Sequence, residues 1–100
     1  MTWELFYFDE ALLDIRDAKK WYFQQQKGLE KRFADDIKRS LSHIQKDPLH
    51  YEVRYKSVRL AHCNTFPYSI HFYIDEPTNR VVIIAIIHQH RHPEYTKERQ

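Results

Sequence analysis

The chain has 100 residues with 42% hydrophobic and 15% aromatic side chains, which suffices for one core and is too short for two domains of ordinary size. Its single glycine and four prolines, beside so many rings that must find packing partners, argue against a disordered chain. The formal net charge of +2 excludes a strongly basic protein and says little about partners. We therefore expect one folded domain over residues 1–100.

The N-terminus and the apolar segments predict a cytoplasmic protein. No basic region precedes the first apolar residues, and Asp9-Glu10 interrupts them before a signal-peptide core could form. No apolar segment approaches the roughly 20 residues that a membrane helix needs, so no membrane partner is expected. The single cysteine, Cys63, requires no disulfide, which is usual in a reducing compartment.

The first half of the chain predicts a strand followed by two helices. Residues 3–8 are mostly aromatic, which is typical of a strand, and Asp9 then provides an N-cap for the first helix. Gly28 can take the left-handed conformation that ends a helix, and Pro48 ends the second one. Apolar residues recur at helical spacing: Ala11, Ile15, Ala18 and Tyr22 in the first helix, and Leu29, Phe33, Ile37, Leu41 and Ile44 in the second. The short connection predicts an antiparallel helical hairpin.

The second half changes to a period of two and predicts three strands, over residues 55–60, 66–74 and 81–87. The last is an almost unbroken β-branched run, typical of a central strand covered on both faces. The predicted fold class is α+β. An N-terminal strand and a two-helix antiparallel hairpin precede a three-stranded antiparallel meander that completes one sheet, with the helices on one face.

Polar and cationic residues follow the central strand directly. They are His88, Gln89, His90, Arg91, His92 and Pro93. A rigid sheet that ends in such residues can hold titratable groups against a partner. The alternative is that they only mark the polar end of a strand, and on the pattern alone this alternative is the stronger.

The three histidines of this cluster, His88, His90 and His92, are spaced two residues apart. On a continuing strand their side chains would share one face and could bind zinc. Against this, Arg91 lies between two of them, Pro93 ends the strand, and no spaced carboxylate or cysteine completes a ligand set. The only glycine, Gly28, belongs to a helix end, so a glycine-rich phosphate loop is excluded. The sequence therefore predicts neither a metal nor a cofactor.

The basic residues in the second half of the chain could form a metal-independent ribonuclease site. Alternation along residues 55–60 would place Arg54 and Lys56 on one face and Arg59 on the other, near the tail. Cations facing a phosphodiester can stabilise charge in a transition state, and Tyr95 or a histidine can move protons or stack on a base. Ordinary surface cations explain the spacing equally well.

Several short motifs, taken in order, resemble a known family. They are Ala11, Ile15, Ala18 and Trp21-Tyr22, then Gly28-Leu29 and Phe33, then Val58-Arg59 and Phe66-Pro67-Tyr68-Ser69-Ile70, and finally Ile86-Ile87-His88 and Arg91-His92-Pro93. Together they resemble the RelE/ParE toxin superfamily of bacterial type II toxin–antitoxin systems, nearer to the ParE-like branch. The resemblance covers nearly the whole chain, and the family's helical hairpin against an antiparallel sheet agrees with the predicted order of elements.

The resemblance implies a growth-inhibiting toxin that is neutralised by a cognate antitoxin, whose C-terminal segment wraps the toxin as a helix or an added strand. ParE-like members poison DNA gyrase, whereas RelE-like members cleave mRNA on the ribosome with basic residues and a C-terminal tyrosine or equivalent. The ending His88…Arg91-His92-Pro93 favours gyrase, and His71 stands where a RelE-like enzyme usually has another arginine. Several cations could nevertheless imitate the RelE set. The candidates for the toxic surface are Arg54, Lys56, Arg59, His88, Arg91 and Tyr95.

Overall fold

The computed structural model describes residues 3–90, in which two helices pack on one five-stranded sheet. The strands are β1 (Glu4–Tyr7), β2 (Val53–Tyr55), β3 (Val58–His62), β4 (Tyr68–Asp75) and β5 (Arg80–His88). The helices are α1 (Asp9–Gln25) and α2 (Leu29–Lys46), and neither has the length and apolar character to cross a membrane. The sheet order is β1-β5-β4-β3-β2, with β1 parallel to β5 and the other pairs antiparallel. The predicted α+β class is confirmed.

The junction between β1 and α1 differs from the prediction in one detail. Phe8 is the N-cap residue, in an extended conformation with φ −66° and ψ 148°, and α1 begins at Asp9. The side chain of Phe8 makes no capping hydrogen bond. Asp9 and Glu10 place two carboxylates in the first turn, where the helix dipole favours anions. The N-cap prediction for Asp9 is therefore wrong by one residue.

Gly28 separates the two helices in a left-handed backbone conformation, with φ +100°. L side chains rarely adopt this conformation, which explains why the chain's only glycine lies here. Gly28 is the N-cap residue of α2, and its N–H donates to Oε1 of Glu30 at 2.7 Å. A side chain from the first turn of α2 therefore satisfies the N–H of the N-cap residue. α2 ends at Lys46, before Pro48, as the sequence predicts.

The first strand predicted in the second half of the chain is two strands. β2 and β3 pair as a hairpin, and Lys56 and Ser57 form the turn between them. Lys56 has φ +48°, which is a left-handed conformation and not that of a strand residue. The predicted alternation of Arg54 and Lys56 on one strand face is wrong, because the turn interrupts it. Up to residue 90, where the described part of the chain ends, four strands therefore follow the helices, one more than predicted.

Phe33 lies at the centre of the main core, between the helices and the sheet. It is fully buried, and its ring stacks on that of Tyr22 at a centroid distance of 5.3 Å. The rings of Phe66 and Tyr68 meet it edge-on at 5.5 and 5.0 Å. Such arrangements stabilise a core beyond the area that they bury. The buried sheet residues of the same cluster include Ile70, Phe72, Val81, Ile83 and Ile86.

β5 is paired on both sides for only part of its length. β1 accompanies its first four residues, up to Ile83, and the chain then leaves the sheet to begin α1. β4 accompanies the whole of β5, with a bulge at Ile84. Within residues 3–90, the second half of β5 up to His88 therefore has no strand neighbour on the side of β1.

Candidate functional site

We call the face of the sheet turned away from the helices the open face. It carries a second apolar cluster. Its side chains alternate with those of the main core along the strands. They are Val58, Leu60, His62, Ser69, His71, Tyr73, Val82, Ile84, Ala85 and Ile87, with Tyr55 of β2 beside them. Val58, Ile84 and Ala85 are fully buried. The side chains of β5 are thus buried on both faces of the sheet, as predicted for a central strand.

Two histidine pairs are the main polar feature of the open face. His71 is only 3% exposed, and its Nδ1 lies 2.9 Å from the hydroxyl of Tyr55. Nδ1 of His62 lies 2.6 Å from the hydroxyl of Ser69. In each pair the imidazole and the hydroxyl share one hydrogen, and the tautomer of the ring decides which of them donates. Imidazole and phenol groups in such contact are able to transfer protons.

The three cations predicted on β2 and β3 do not lie together on the open face. Arg59 points to the helix side, since its cross-strand partner on β4 belongs to the main core, and its guanidinium donates to the carbonyl oxygen of Tyr51. Arg54 lies on the edge strand, with its Nε 3.7 Å from the carboxylate of Glu52. Lys56 lies in the turn between β2 and β3. The cation that the strands β3 to β5 do place on the open face is Arg80, which alternates with Val82 at the start of β5 and has its guanidinium over the ring of Phe6 at 4.2 Å.

His88 lies apart from these cations, at the end of β5 on the helix side of the sheet. Its ring meets that of Tyr68 edge-on at 5.5 Å and stacks with His90 at 5.0 Å. Two strands separate β5 from β2, so Arg54 is on the order of 15 Å away across the sheet at about 4.8 Å per strand. The structure therefore does not bring His88 together with Arg54.

The predicted alternation of the tail histidines along one strand does not occur. β5 ends at His88, and the next two residues form a turn in which the backbone N–H of His90 donates to Nδ1 of His88 at 3.2 Å. His92 and the candidate residues Arg91 and Tyr95 lie outside the described residues. Within residues 3–90, no three histidine, cysteine or carboxylate side chains come together as metal ligands.

Two carboxylates that the sequence patterns did not indicate bind backbone N–H groups. Asp14 of α1 reaches β5, and its Oδ2 accepts the N–H of Ile86 at 3.0 Å. Asp36 of α2 is 1% exposed, and its Oδ2 accepts the N–H groups of Thr65 and Phe66 at 3.0 and 2.8 Å. Each lies beside the apolar stripe of its helix, and an acidic residue at such a position is the signal that would identify it.

Burial shifts the acid–base properties of two core side chains. It raises the pKa of the Cys63 thiol to about 11, and a hydrogen bond with Ser40 only partly opposes the shift. Burial, reinforced by the neighbouring Tyr68, raises the pKa of Tyr22 to about 12. Both groups stay protonated at neutral pH, so Cys63 does not provide a thiolate nucleophile.

A cleft of about 710 Å³ opens between α1 and the end of β5, and we call it the α1–β5 cleft. Its lining includes three aromatic rings, two carboxylates and two imidazoles, from Trp21, Tyr22, Tyr68, Asp14, Asp17, His88 and His90. Trp21 is 54% exposed in spite of its size. A concave surface with aromatic walls and a few convergent polar groups is typical of a binding site.

A family model for the ParE toxin of the type II toxin-antitoxin system parDE matches residues 5–93. A comparison with curated protein sequences finds no match. The match extends from β1 through the whole sheet and therefore covers the α1–β5 cleft and the open face together.

Solved structures with similar folds include both branches of the superfamily. The chromosomal ParDE system from P. aeruginosa matches with a TM-score of 0.75 and 16% identity, over 87% of this chain and 96% of that chain. The intact E. coli RelBE toxin-antitoxin complex matches with a TM-score of 0.67 and 14% identity, over 89% and 99%. The isolated E. coli RelE toxin matches with the same score and identity, over 96% and 94%. Identities this low establish the fold alone, but the family match spans nearly the whole chain, and the protein belongs to the ParE toxin family of type II toxin–antitoxin systems, within the RelE/ParE superfamily.

Proposed function

We propose that this chain is the toxin of a ParDE-type pair, that a cognate antitoxin neutralises it, and that it arrests growth by binding DNA gyrase and not by cutting RNA. The observation that carries the choice of target is the composition of the open face. Along β3, β4 and β5, the described part of this face carries one cation, Arg80, whose guanidinium already lies over the ring of Phe6 at 4.2 Å and 4.0 Å from the carboxylate of Glu4. A surface that cleaves RNA without a metal needs cations, both to bind phosphates and to stabilise the charge that develops in the transition state.

The open face has instead the character of a surface that contacts protein. Leu60, Tyr73 and Val82 are partly exposed and pack against its buried cluster. One ring nitrogen of each histidine is already paired with a hydroxyl group, so it keeps a hydrogen-bond partner when a protein covers this face. Partly exposed aromatic and aliphatic side chains around a buried centre are common at protein interfaces.

Other exposed apolar side chains support an antitoxin as partner. Helix α1 leaves four large apolar side chains about half exposed, namely Leu12, Leu13, Trp21 and Phe23. Exposed apolar groups of this size on one helix are typical of a surface that a partner covers. The similar structures from P. aeruginosa and E. coli are described as a ParDE system and as an intact RelBE toxin-antitoxin complex.

DNA supercoiling by purified gyrase tests the proposed target. We expect the chain to inhibit supercoiling, and prior addition of the antitoxin to restore it. Lys38 is an exposed residue of α2 outside the open face and the α1–β5 cleft. The Lys38→Ala variant therefore serves as a control and should inhibit gyrase as the wild type does. Undiminished supercoiling at toxin levels that arrest growth would overturn gyrase as the target.

One observation favours a second candidate, a ribosome-dependent mRNA endonuclease. The hydroxyl of Tyr55 and the ring of His71 form a proton-transfer pair on the open face, 2.9 Å apart. If the chain cuts RNA, toxin expression produces new mRNA ends near translated codons, and Tyr55→Phe, Arg54→Ala and Arg91→Ala each reduce them. The gyrase proposal expects no such ends.

A further inference from the structure

Helix α2 presents a cationic face to solvent. Its exposed cations are Lys31, Arg32, Lys38, Arg39 and Lys46. Past the first turn, the exposed carboxylate of this fully described helix is that of Asp35, since Asp36 is buried. Whereas α1 leaves four large apolar side chains about half exposed, α2 leaves none along its described length. The face therefore offers a partner positive charge and not the apolar contacts found at the centre of most protein interfaces.

Helix stability does not explain the cations at the start of α2. Lys31 lies in the first turn and Arg32 follows it, where the helix dipole disfavours positive charge. Asp35 is four residues from Lys31 and three from Arg32, the spacings at which ion pairs form along a helix. Within residues 3–90, however, neither cation has a carboxylate oxygen within 4.0 Å. Their charges are therefore available to an anionic partner.

Three of the cations, Arg32, Arg39 and Lys46, form one row along the helix, and we call it the α2 row. They are seven residues apart, which is close to two helical turns, so they share one side at spacings of about 10.5 Å. Arg39 also lies 3.5 Å from the buried carboxylate of Asp36 and stays exposed. The row spans about 21 Å, the length of about six base pairs of duplex DNA. Lys38 lies about 100° around the helix from Arg39 and is outside the row.

We infer that the α2 row binds the phosphate backbone of duplex DNA without reading its sequence. A regular row of cations complements the regular phosphates of a duplex strand, and such contacts position a protein but carry no base specificity. The helices cover the face of the sheet opposite to the open face. One molecule can therefore contact gyrase through the open face and DNA through α2, and the second contact strengthens the first by linkage. The choice of DNA as the polyanion rests on the proposed function.

Fluorescence anisotropy of a labelled DNA duplex of arbitrary sequence, titrated with the purified chain alone, tests this inference. Three phosphate contacts predict a slope of about −2.7 for log affinity against log salt, which is a loss of about 40-fold between about 50 and 200 mM salt. If the chain inhibits supercoiling but binds no DNA at the lower salt, the inference fails and the proposed function stands. If it does not inhibit supercoiling, the proposed function itself fails. Tighter binding to an RNA duplex of the same sequence would overturn the choice of DNA.

Three variants at exposed positions of α2 separate the row from the rest of the helix. Arg32→Ala should weaken DNA binding and reduce the size of the salt slope by about 0.9, because one phosphate contact is lost. Lys38→Ala is the matched control, an exposed cation of the same helix outside the row, and should leave the slope unchanged. Asp35→Asn removes the neighbouring carboxylate and should tighten binding about twofold or more. Equal reductions from Arg32→Ala and Lys38→Ala, or weaker binding by Asp35→Asn, would contradict the inference.

Discussion

The two faces of the sheet bury their apolar side chains in different surroundings. On one face, α1 and α2 enclose Phe33 among aromatic rings, and the buried carboxylate of Asp36 is bound by two backbone N–H groups. On the open face, Val58 and Ile84 are equally buried, and the polar groups are histidines paired with hydroxyls, as in His71 with Tyr55. Because the helix-covered face buries the larger apolar cluster, we expect it to provide most of the stability, while the open face keeps groups that can meet a partner.

The largest expected effect comes from the centre of the helix-covered face. Phe33→Ala should lower the free energy of unfolding by about 3–5 kcal/mol, because it removes a ring that contacts three others and leaves a cavity. Val58→Ala is the counterpart on the open face and should lower it by about 1–3 kcal/mol. Urea unfolding measures both. A loss from Val58→Ala as large as that from Phe33→Ala, in spite of its much smaller side chain, would contradict the weaker role of the open face.

The carboxylate of Asp36 should contribute the next largest effect. Asp36→Asn removes the charge that strengthens two hydrogen bonds to the loop after β3, and we expect a loss of about 1–3 kcal/mol in the free energy of unfolding. Hydrogen exchange at the amides of Thr65 and Phe66 should accelerate. Asp35→Asn, at the exposed neighbouring position, is the control and should change stability by less than about 0.5 kcal/mol. Similar losses in both variants would contradict a structural role for Asp36.

The smallest expected effect distinguishes two of the predicted cations. Arg59→Ala should lower the free energy of unfolding by about 1 kcal/mol, because its guanidinium binds the carbonyl of Tyr51 on the helix side. Arg54→Ala should cost less than about 0.5 kcal/mol, since its contact with Glu52 is exposed. Thermal unfolding measures both. A larger loss from Arg54→Ala would reverse the assignment of Arg59 as the structural cation.

The helical half of the chain was predictable because its signals are local. The apolar stripe of α2, the left-handed Gly28 and the stop before Pro48 depend only on helix geometry and on backbone sterics a few residues apart. The hairpin between β2 and β3 was not predictable in the same way. Its turn consists of Lys56 and Ser57, with no glycine, proline or asparagine to mark it. The sequence therefore predicted one continuous strand, with alternating side chains, through the turn.

The candidate site was the least predictable part, because it depends on register. Whether Arg59 and His88 face the helices or the open side follows from cross-strand pairing, which no local pattern reports. Arg91 and Tyr95 stay predictions, since they lie outside the described residues. The carboxylate of Asp14 and the amide of Ile86 are 72 residues apart in sequence and 3.0 Å apart in space.

By itself the sequence determined the fold class, the helical hairpin, the central apolar strand and the resemblance to the RelE/ParE superfamily. These depend on residue periodicity and motif order, which short-range geometry sets. Only the tertiary structure decided that β1 stops at Tyr7, which leaves the edge of β5 open at His88, and that α1 forms a cleft beside it. The reason is that strand length, register and helix placement result from packing between distant parts of the chain.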